Sequence, residues 1–412
     1  MAYPKITSYS VDLGVPMTIV EGEVEGARYR LAGVDVLRGI SVLLVTLHHI
    51  HLRFWLNNYD VDGVLPKTLN QVFFWSGYYA VIIFFVISGF LITSLSIRRW
   101  NELGDIRAGR FYIMRAARIL PCLLLLLIVL SGLHLAGIRD FAINPTRASL
   151  GQALWSALTF HINYLEGRHG YLPGGWDVLW SLSVEETFYV LFPLTCLLLR
   201  RESWLLLPLL CLLVLGPINR TALAGEDPWG QYAYLCCMDG IAFGCLTAMA
   251  CGRLRWTRRA LRASLIVGAA IACFVIITCN EDSHTGSLSQ YGLNVTLLEV
   301  GVALMLLALG SGVGNAALST GTGWLRVVGR SSYEIYLVHM LVVLGLMNLF
   351  RAFKPALSTI PLWYGAMLLL SVLAGYLLSR YYSEPLNRII RSADRAGVLS
   401  VRQAPGIRRI EL

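Results

Sequence analysis

The chain has 412 residues, of which 56% are hydrophobic and only 14% charged. A soluble globular domain carries about 25% charged residues, so this composition excludes an ordinary water-soluble fold and points to a bilayer. The formal net charge of +9 does not call for a nucleic-acid partner, because the placement of the basic residues between apolar segments accounts for it.

Residues 1–30 are mixed in character and contain Glu21, Glu23 and Glu25 with no apolar stretch. No secretory signal peptide is expected there, and the segment is expected to stay cytoplasmic. Apolar runs long enough to cross a bilayer then predict ten helices. They lie near 37–55, 78–97, 118–137, 178–199, 203–217, 233–250, 263–280, 294–312, 332–350 and 361–380. The fifth is expected to be short, with Pro208 inside it. Segment 150–165 is too short and too polar to span and reads as an interfacial or re-entrant piece of a long loop, 138–177. The expected fold class is all-α: a polytopic integral membrane protein with a cytoplasmic segment 1–30, a membrane domain 31–390 and a basic tail 391–412.

Charge tests this count. With the N-terminus inside, 26 of the 34 Lys and Arg residues fall on the inner side, as the positive-inside rule requires. Outside remain Arg53, Lys67, Arg139, Arg147, Arg168, Arg220, Arg351 and Lys354. Both termini are then cytoplasmic, and the arginine-rich tail is expected to lie against anionic lipid headgroups.

Against this apolar background a few polar residues stand out. Arg38 and His49 are eleven positions apart in the first helix, which puts them on one side and about 16 Å apart along the axis. Ionisable groups inside a spanning helix usually mark a buried aqueous path or site. Ser181, Glu185 and Tyr189 recur every four residues and share a face of the fourth helix. Glu185 falls about two turns in, where dipole compensation at the N-terminus fades. The ninth helix carries Glu334 and His339. Mid-helix Ser88 and Gly89 first suggest close helix packing. Most of the nine cysteines fall in apolar helices, where a thiol behaves as a small hydrophobe; Cys236, Cys237 and Cys279 near the outer face leave room for one disulfide. No metal site is expected, since His48, His49 and His51 do not share one helix face.

These segments resemble a known family. Arg38 with His49, spaced Arg-x10-His, is similar to the hallmark of the membrane-bound acyltransferase-3 family. Five further segments come in the family's order. They are Phe84 to Phe90 (FFVISGF), Arg115 to Pro121 (RAARILP), Trp180 to Tyr189 (WSLSVEETFY), Ser332 to His339 (SYEIYLVH), and Glu384-Pro385. The resemblance spans roughly 31–390. It departs from the family's pattern at Thr187, where Gln is usual, at Glu334, where a small residue is common, and at Met340, where a Pro often follows soon after the His.

The resemblance implies an O-acyltransferase of the stand-alone form, without a fused esterase-like domain, in a bacterial inner membrane. The donor would be a cytoplasmic acyl-CoA, usually acetyl-CoA, used as a substrate with no permanently bound cofactor. The acceptor would be a hydroxyl of a cell-surface carbohydrate or glycolipid. His49 would be the general base, with Arg38 and Glu185 as the other catalytic residues and Glu185 able to orient the imidazole. Arg115 and Arg118 would bind the anionic donor through their forked guanidinium groups. The bilayer and the two substrates are the expected partners, with nucleic acid excluded and the oligomeric state open. A secondary transporter with buried Arg, His and Glu is the alternative; thermal stabilisation by coenzyme A would separate the two.

Overall fold

A computed structural model of the chain describes residues 31–395 apart from 60, 62–64, 280–287, 289–291, 315–317 and 319. The segment 1–30 and the end of the basic tail, 396–412, lie outside the described residues, and with them Lys5, Arg28, Arg30, Arg402, Arg408 and Arg409.

The described chain begins with α1 (Ala32–Leu56), a short α2 (Lys67–Phe74), α3 (Gly77–Trp100) and α4 (Ala108–Leu135). A cap of short helices comes next: α5 (Leu150–Leu158), α6 (Ile162–His169) and α7 (Gly174–Asp177). Then come α8 (Leu179–Leu199), α9 (Glu202–Ala222), a one-turn α10 (Trp229–Tyr232), α11 (Tyr234–Arg253), α12 (Arg258–Thr278) and α13 (Leu293–Gly310). The chain closes with α14 (Gly323–Arg330), α15 (Ser332–Phe353), α16 (Ile360–Leu378) and α17 (Glu384–Arg395). Ten helices among the described residues are long and apolar enough to cross a membrane, and the protein is an all-α polytopic membrane protein.

The ten predicted spans correspond one to one with these helices; their ends shift by one to several residues, and three of the shifts bear on the packing. Helix α4 starts at Ala108, well before the predicted 118. Arg115 and Arg118 therefore stand inside a helix and not in a loop, three positions apart on one face; they turn toward protein partners, so the charge does not end the helix. Helix α9 is a full span of 21 residues despite Pro208 and Pro217. Its far end is held by Arg220, which gives Asp239 of α11 two hydrogen bonds of 3.0 and 2.7 Å. Arg220 also donates to the carbonyls of Gly292 and Cys236 and to the Thr296 hydroxyl. Helix α16 does not stop at 380 but runs through a π-helical turn, Ser379–Ser383, into α17. Segment 150–165 forms α5 and the start of α6 in the loop, neither long enough to span.

Small residues let the helices touch backbone to backbone. A Cβ added at Gly89 of α3 would strike the Ile241 carbonyl of α11, and one at Gly244 would strike the Val86 carbonyl of α3. The α1–α14 contact works the same way: a Cβ at Gly329 would meet the Asp35 carbonyl, and one at Gly39 the Leu325 carbonyl. Cys236, Cys237 and Cys279 are all free thiols, so the disulfide left open by sequence is absent among them. The Cys237 thiol instead donates to the Gln231 carbonyl at 3.1 Å.

Candidate functional site

The helices α1, α3, α4, α8 and α15 carry a column of polar side chains through the bundle. It starts near the end where α1 begins, the basic side of the molecule, which also holds Arg98, Arg99, Arg200 and Arg201. Arg38 donates from Nε and Nη2 to the Ser332 hydroxyl at 3.2 and 3.0 Å. Its charged neighbours are Arg118, Asp35, Glu334 and Glu185. Arg118 of α4 meets Glu334 of α15 end-on, Nη1 to Oε1 at 2.6 Å and Nη2 to Oε2 at 3.3 Å. Arg115, one turn earlier, lies over the Tyr189 ring with its guanidinium carbon 3.6 Å from the ring centre. Its Nε is buried and unpartnered.

The column continues at Ser88 of α3. Its hydroxyl bonds the Tyr189 hydroxyl and also reaches the Glu185 carboxylate, whose charged neighbours are Arg115 and Arg38. The face shared by Ser181, Glu185 and Tyr189 thus points inward. Ser181 extends the line by a 2.7 Å hydrogen bond to the Tyr336 hydroxyl of α15. Glu185 makes no hydrogen bond to His49: its partners belong to the arginine end of the column. The geometry thus places Glu185 opposite Ser88 of α3, with the arginines and not the imidazole as its neighbours.

His49 instead faces another imidazole. Its ring centre is 5.1 Å from that of His339. His339 Nδ1 lies 2.6 Å from the Tyr336 carbonyl. A carbonyl only accepts, so Nδ1 carries the proton and Nε2 keeps a lone pair. That Nε2 and His49 Nδ1 are both buried without a partner. His49 lies about two-thirds of the way along the 25-residue α1. The neighbouring histidines are otherwise engaged: His48 Nδ1 donates to the Phe74 carbonyl at 2.8 Å, and His51 bonds the Tyr364 hydroxyl.

One turn beyond His49, Arg53 points at the cap formed by α5, α6 and α7. Its nearest opposite charge is Asp177, and Gly174 leaves it room, since a Cβ there would lie 2.6 Å from Arg53 Nη2. Asp177 accepts from the Tyr232 hydroxyl at 3.0 Å, and the Tyr232 ring stacks on Trp180 at 4.2 Å. Glu166 of α6 accepts the Leu172 N–H at 2.9 Å and meets the Asp177 carboxylate. Burial, and then that second carboxylate, push the Glu166 carboxyl well above the usual range. Sequence reading missed Arg53, Asp177 and Glu166 as a group. The available signal was Arg53 at four positions from His49, on the same helical face; the loop that brings the two acids carries no such periodicity.

Arg38, His49, Arg115, Arg118 and Glu185 are all half-buried, although each is part of a spanning helix. With their partners on α3 and α15 they bridge five helices of the bundle, while each keeps some exposed surface. Chemically this column offers cations at the basic end, a hydroxyl-lined middle and paired imidazoles toward the far side.

A family model described as an acyltransferase domain matches residues 31–380. A protein of Staphylococcus aureus (strain COL) with a provisional O-acetyltransferase name is 31% identical over 167 residues, 40% of this chain and 24% of its own. The peptidoglycan O-acetyltransferase OatA of Listeria monocytogenes is 24% identical over 339 residues, 77% of this chain and 50% of its own. The O-acetyltransferase OatA of Staphylococcus aureus (strain NCTC 8325) is 29% identical over 168 residues, with 40% and 24% covered. The chain thus spans between a quarter and a half of the length of these relatives. No solved structure matches it. With the family model covering nearly the whole described bundle, the chain belongs to the membrane acyltransferase-3 family.

Proposed function

We propose that the protein moves an acyl group, acetyl in the first instance, from acyl-CoA on the basic side to a hydroxyl presented from the opposite side. The observation that carries this reading is the polar column, with arginines at one end and an imidazole pair toward the other. The basic side is read as cytoplasmic, with both described ends of the chain there, in a plasma membrane. Coenzyme A is strongly anionic, and Arg38 and Arg115 stand where its phosphates would arrive. The relatives named as O-acetyltransferases support acetyl as the group, and the one named for peptidoglycan supports a cell-surface carbohydrate as the acceptor.

The side chains define the chemistry. The acceptor oxygen attacks the thioester carbonyl carbon while His49 takes the hydroxyl proton. The C–S bond then breaks, the ester is left on the acceptor, and the thiolate takes the proton back from His49. Among the described residues no carboxylate touches His49. The lone pair on His339 Nε2 is the nearest group able to receive the N–H of the imidazolium that forms, the part a carboxylate plays in a triad. Glu185 and Tyr189, held through Ser88, fix the arginine end of the column and do not join the proton transfer.

The test is transfer of isotope-labelled acetyl from acetyl-CoA to surface glycans by membranes containing the protein. Wild-type membranes should give labelled ester, and His49→Ala membranes should not. Equal labelling from both would sink the reading, as would failure of coenzyme A to bind the purified wild type.

A further inference from the structure

One of the three arginines at the basic end of the column is already held by a carboxylate, which is unexpected where a polyanion is to be received. Arg118 is engaged at both Nη atoms by one carboxylate, at 2.6 and 3.3 Å. That carboxylate, Glu334, has no solvent exposure, whereas the Arg118 side chain keeps 23%. Glu334 therefore cannot exchange Arg118 for water, and leaving it as an unpaired buried charge would be strongly unfavourable. A third contact, Arg118 Nη1 to the Ser383 hydroxyl at 3.5 Å, ties the pair to the π-helical turn. Arg38 and Arg115 differ: carboxylates are among their charged neighbours, but neither is held in an ion pair, Arg38 being bonded to a neutral hydroxyl and Arg115 lying on a ring with a buried, unpartnered Nε.

We propose that Glu334 is a positioning residue that sets donor affinity by occupying the fork of Arg118, so that the donor's phosphates are read by Arg38 and Arg115. This rests on the acyl-CoA reading of the column. Its logic is kinetic. A third unpaired cation would bind substrate and product coenzyme A equally, lowering KM without raising kcat and slowing product release. Glu334 removes that excess charge while keeping α4 bonded to α15. The sequence Ser332-Tyr333-Glu334 thus holds two residues with opposite tasks at one site: Ser332 steadies Arg38 without neutralising it, and Glu334 neutralises Arg118.

The experiment measures calorimetric coenzyme A binding and acetyl-transfer kinetics for wild type, Glu334→Gln, Arg115→Gln and the double variant Arg118→Gln with Glu334→Gln. Glu334→Gln keeps an amide oxygen for one Arg118 N–H but frees the charge. It should bind coenzyme A about tenfold tighter, about 1.4 kcal/mol, with a steeper salt dependence, a lower KM and no gain in kcat. Arg115→Gln should bind at least tenfold more weakly. The double variant should bind within about threefold of wild type, because the pair leaves together; it also keeps the test decisive should the single Glu334 variant not fold. Unchanged or weaker binding by a folded Glu334→Gln overturns the proposal, as does a loss of tenfold or more in the double variant. If wild type itself does not bind coenzyme A, the donor reading fails first, an outcome distinct from either.

Discussion

The paired imidazoles make the sharpest quantitative test. His49→Ala removes the group placed to take the acceptor proton, and removal of a general base costs about two to four orders of magnitude in turnover, or about 3 to 5 kcal/mol of barrier. His339→Leu keeps a side chain of comparable size but removes the ring acceptor Nε2, which the Nδ1 hydrogen bond to the Tyr336 carbonyl at 2.6 Å holds in place. With ring centres 5.1 Å apart and no carboxylate bonded to His49, His339 is the group that would stabilise the imidazolium. Its loss should cost about one to two orders of magnitude. The two act as a unit, so the double variant should be no slower than His49→Ala alone. Coenzyme A affinity should barely move in any of the three, because Arg38 and Arg115 lie at the other end of the column. Protein in nanodiscs, assayed by labelled acetyl transfer and calorimetric coenzyme A titration, gives both readouts. Near-normal turnover by His49→Ala would refute the base assignment, and multiplicative losses in the double variant would refute the coupling.

Packing and burial give further expected outcomes. Gly89→Leu should lower the melting temperature in detergent by an amount corresponding to at least 1–3 kcal/mol, since even its Cβ strikes the Ile241 carbonyl; a wild-type melting curve would mean that α3 and α11 do not touch there. Arg220→Gln leaves Asp239 buried at 0% exposure without its partner, and should cost about 3–5 kcal/mol. Arg220→Met with Asp239→Leu should recover much of that loss, and a double variant as unstable as the single would contradict it. Glu166 is held protonated in the fold above its ordinary value near 4.5. The folded state then binds more protons than the unfolded one, so its contribution is full below about pH 4.5 and is lost as pH rises. Wild type should accordingly lose stability relative to Glu166→Gln as pH increases toward 8, and a pH-independent difference between their melting temperatures would contradict the burial argument.

The fold was largely legible because a bilayer imposes length and apolarity on every spanning helix. Ten runs were readable as ten helices, and the errors fell where composition and helicity part company. Helix α4 extends through Arg110, Arg115 and Arg118 because the latter two arginines find a ring and a carboxylate inside the bundle. Helix α9 passes two prolines because a spanning helix tolerates them where neighbours and side chains re-satisfy the backbone. Apolar counting sees neither cause.

The site was legible as residue types and helix faces, and not as pairs. The shared face of Ser181, Glu185 and Tyr189 comes from spacing alone, yet the partner that decides what Glu185 does is Ser88, on another helix. Arg38 meets Ser332 across 294 positions, and Arg118 meets Glu334 across 216. No local periodicity encodes such pairings, because they are made by how helices pack. Glu334 illustrates the consequence. In the sequence it is a departure from the family's pattern near His339, a carboxylate with no visible purpose. In the fold it is the counter-charge of an arginine that the family motif alone would assign to the donor. The same two residues thus support opposite expectations for coenzyme A affinity, depending on whether their pairing is known.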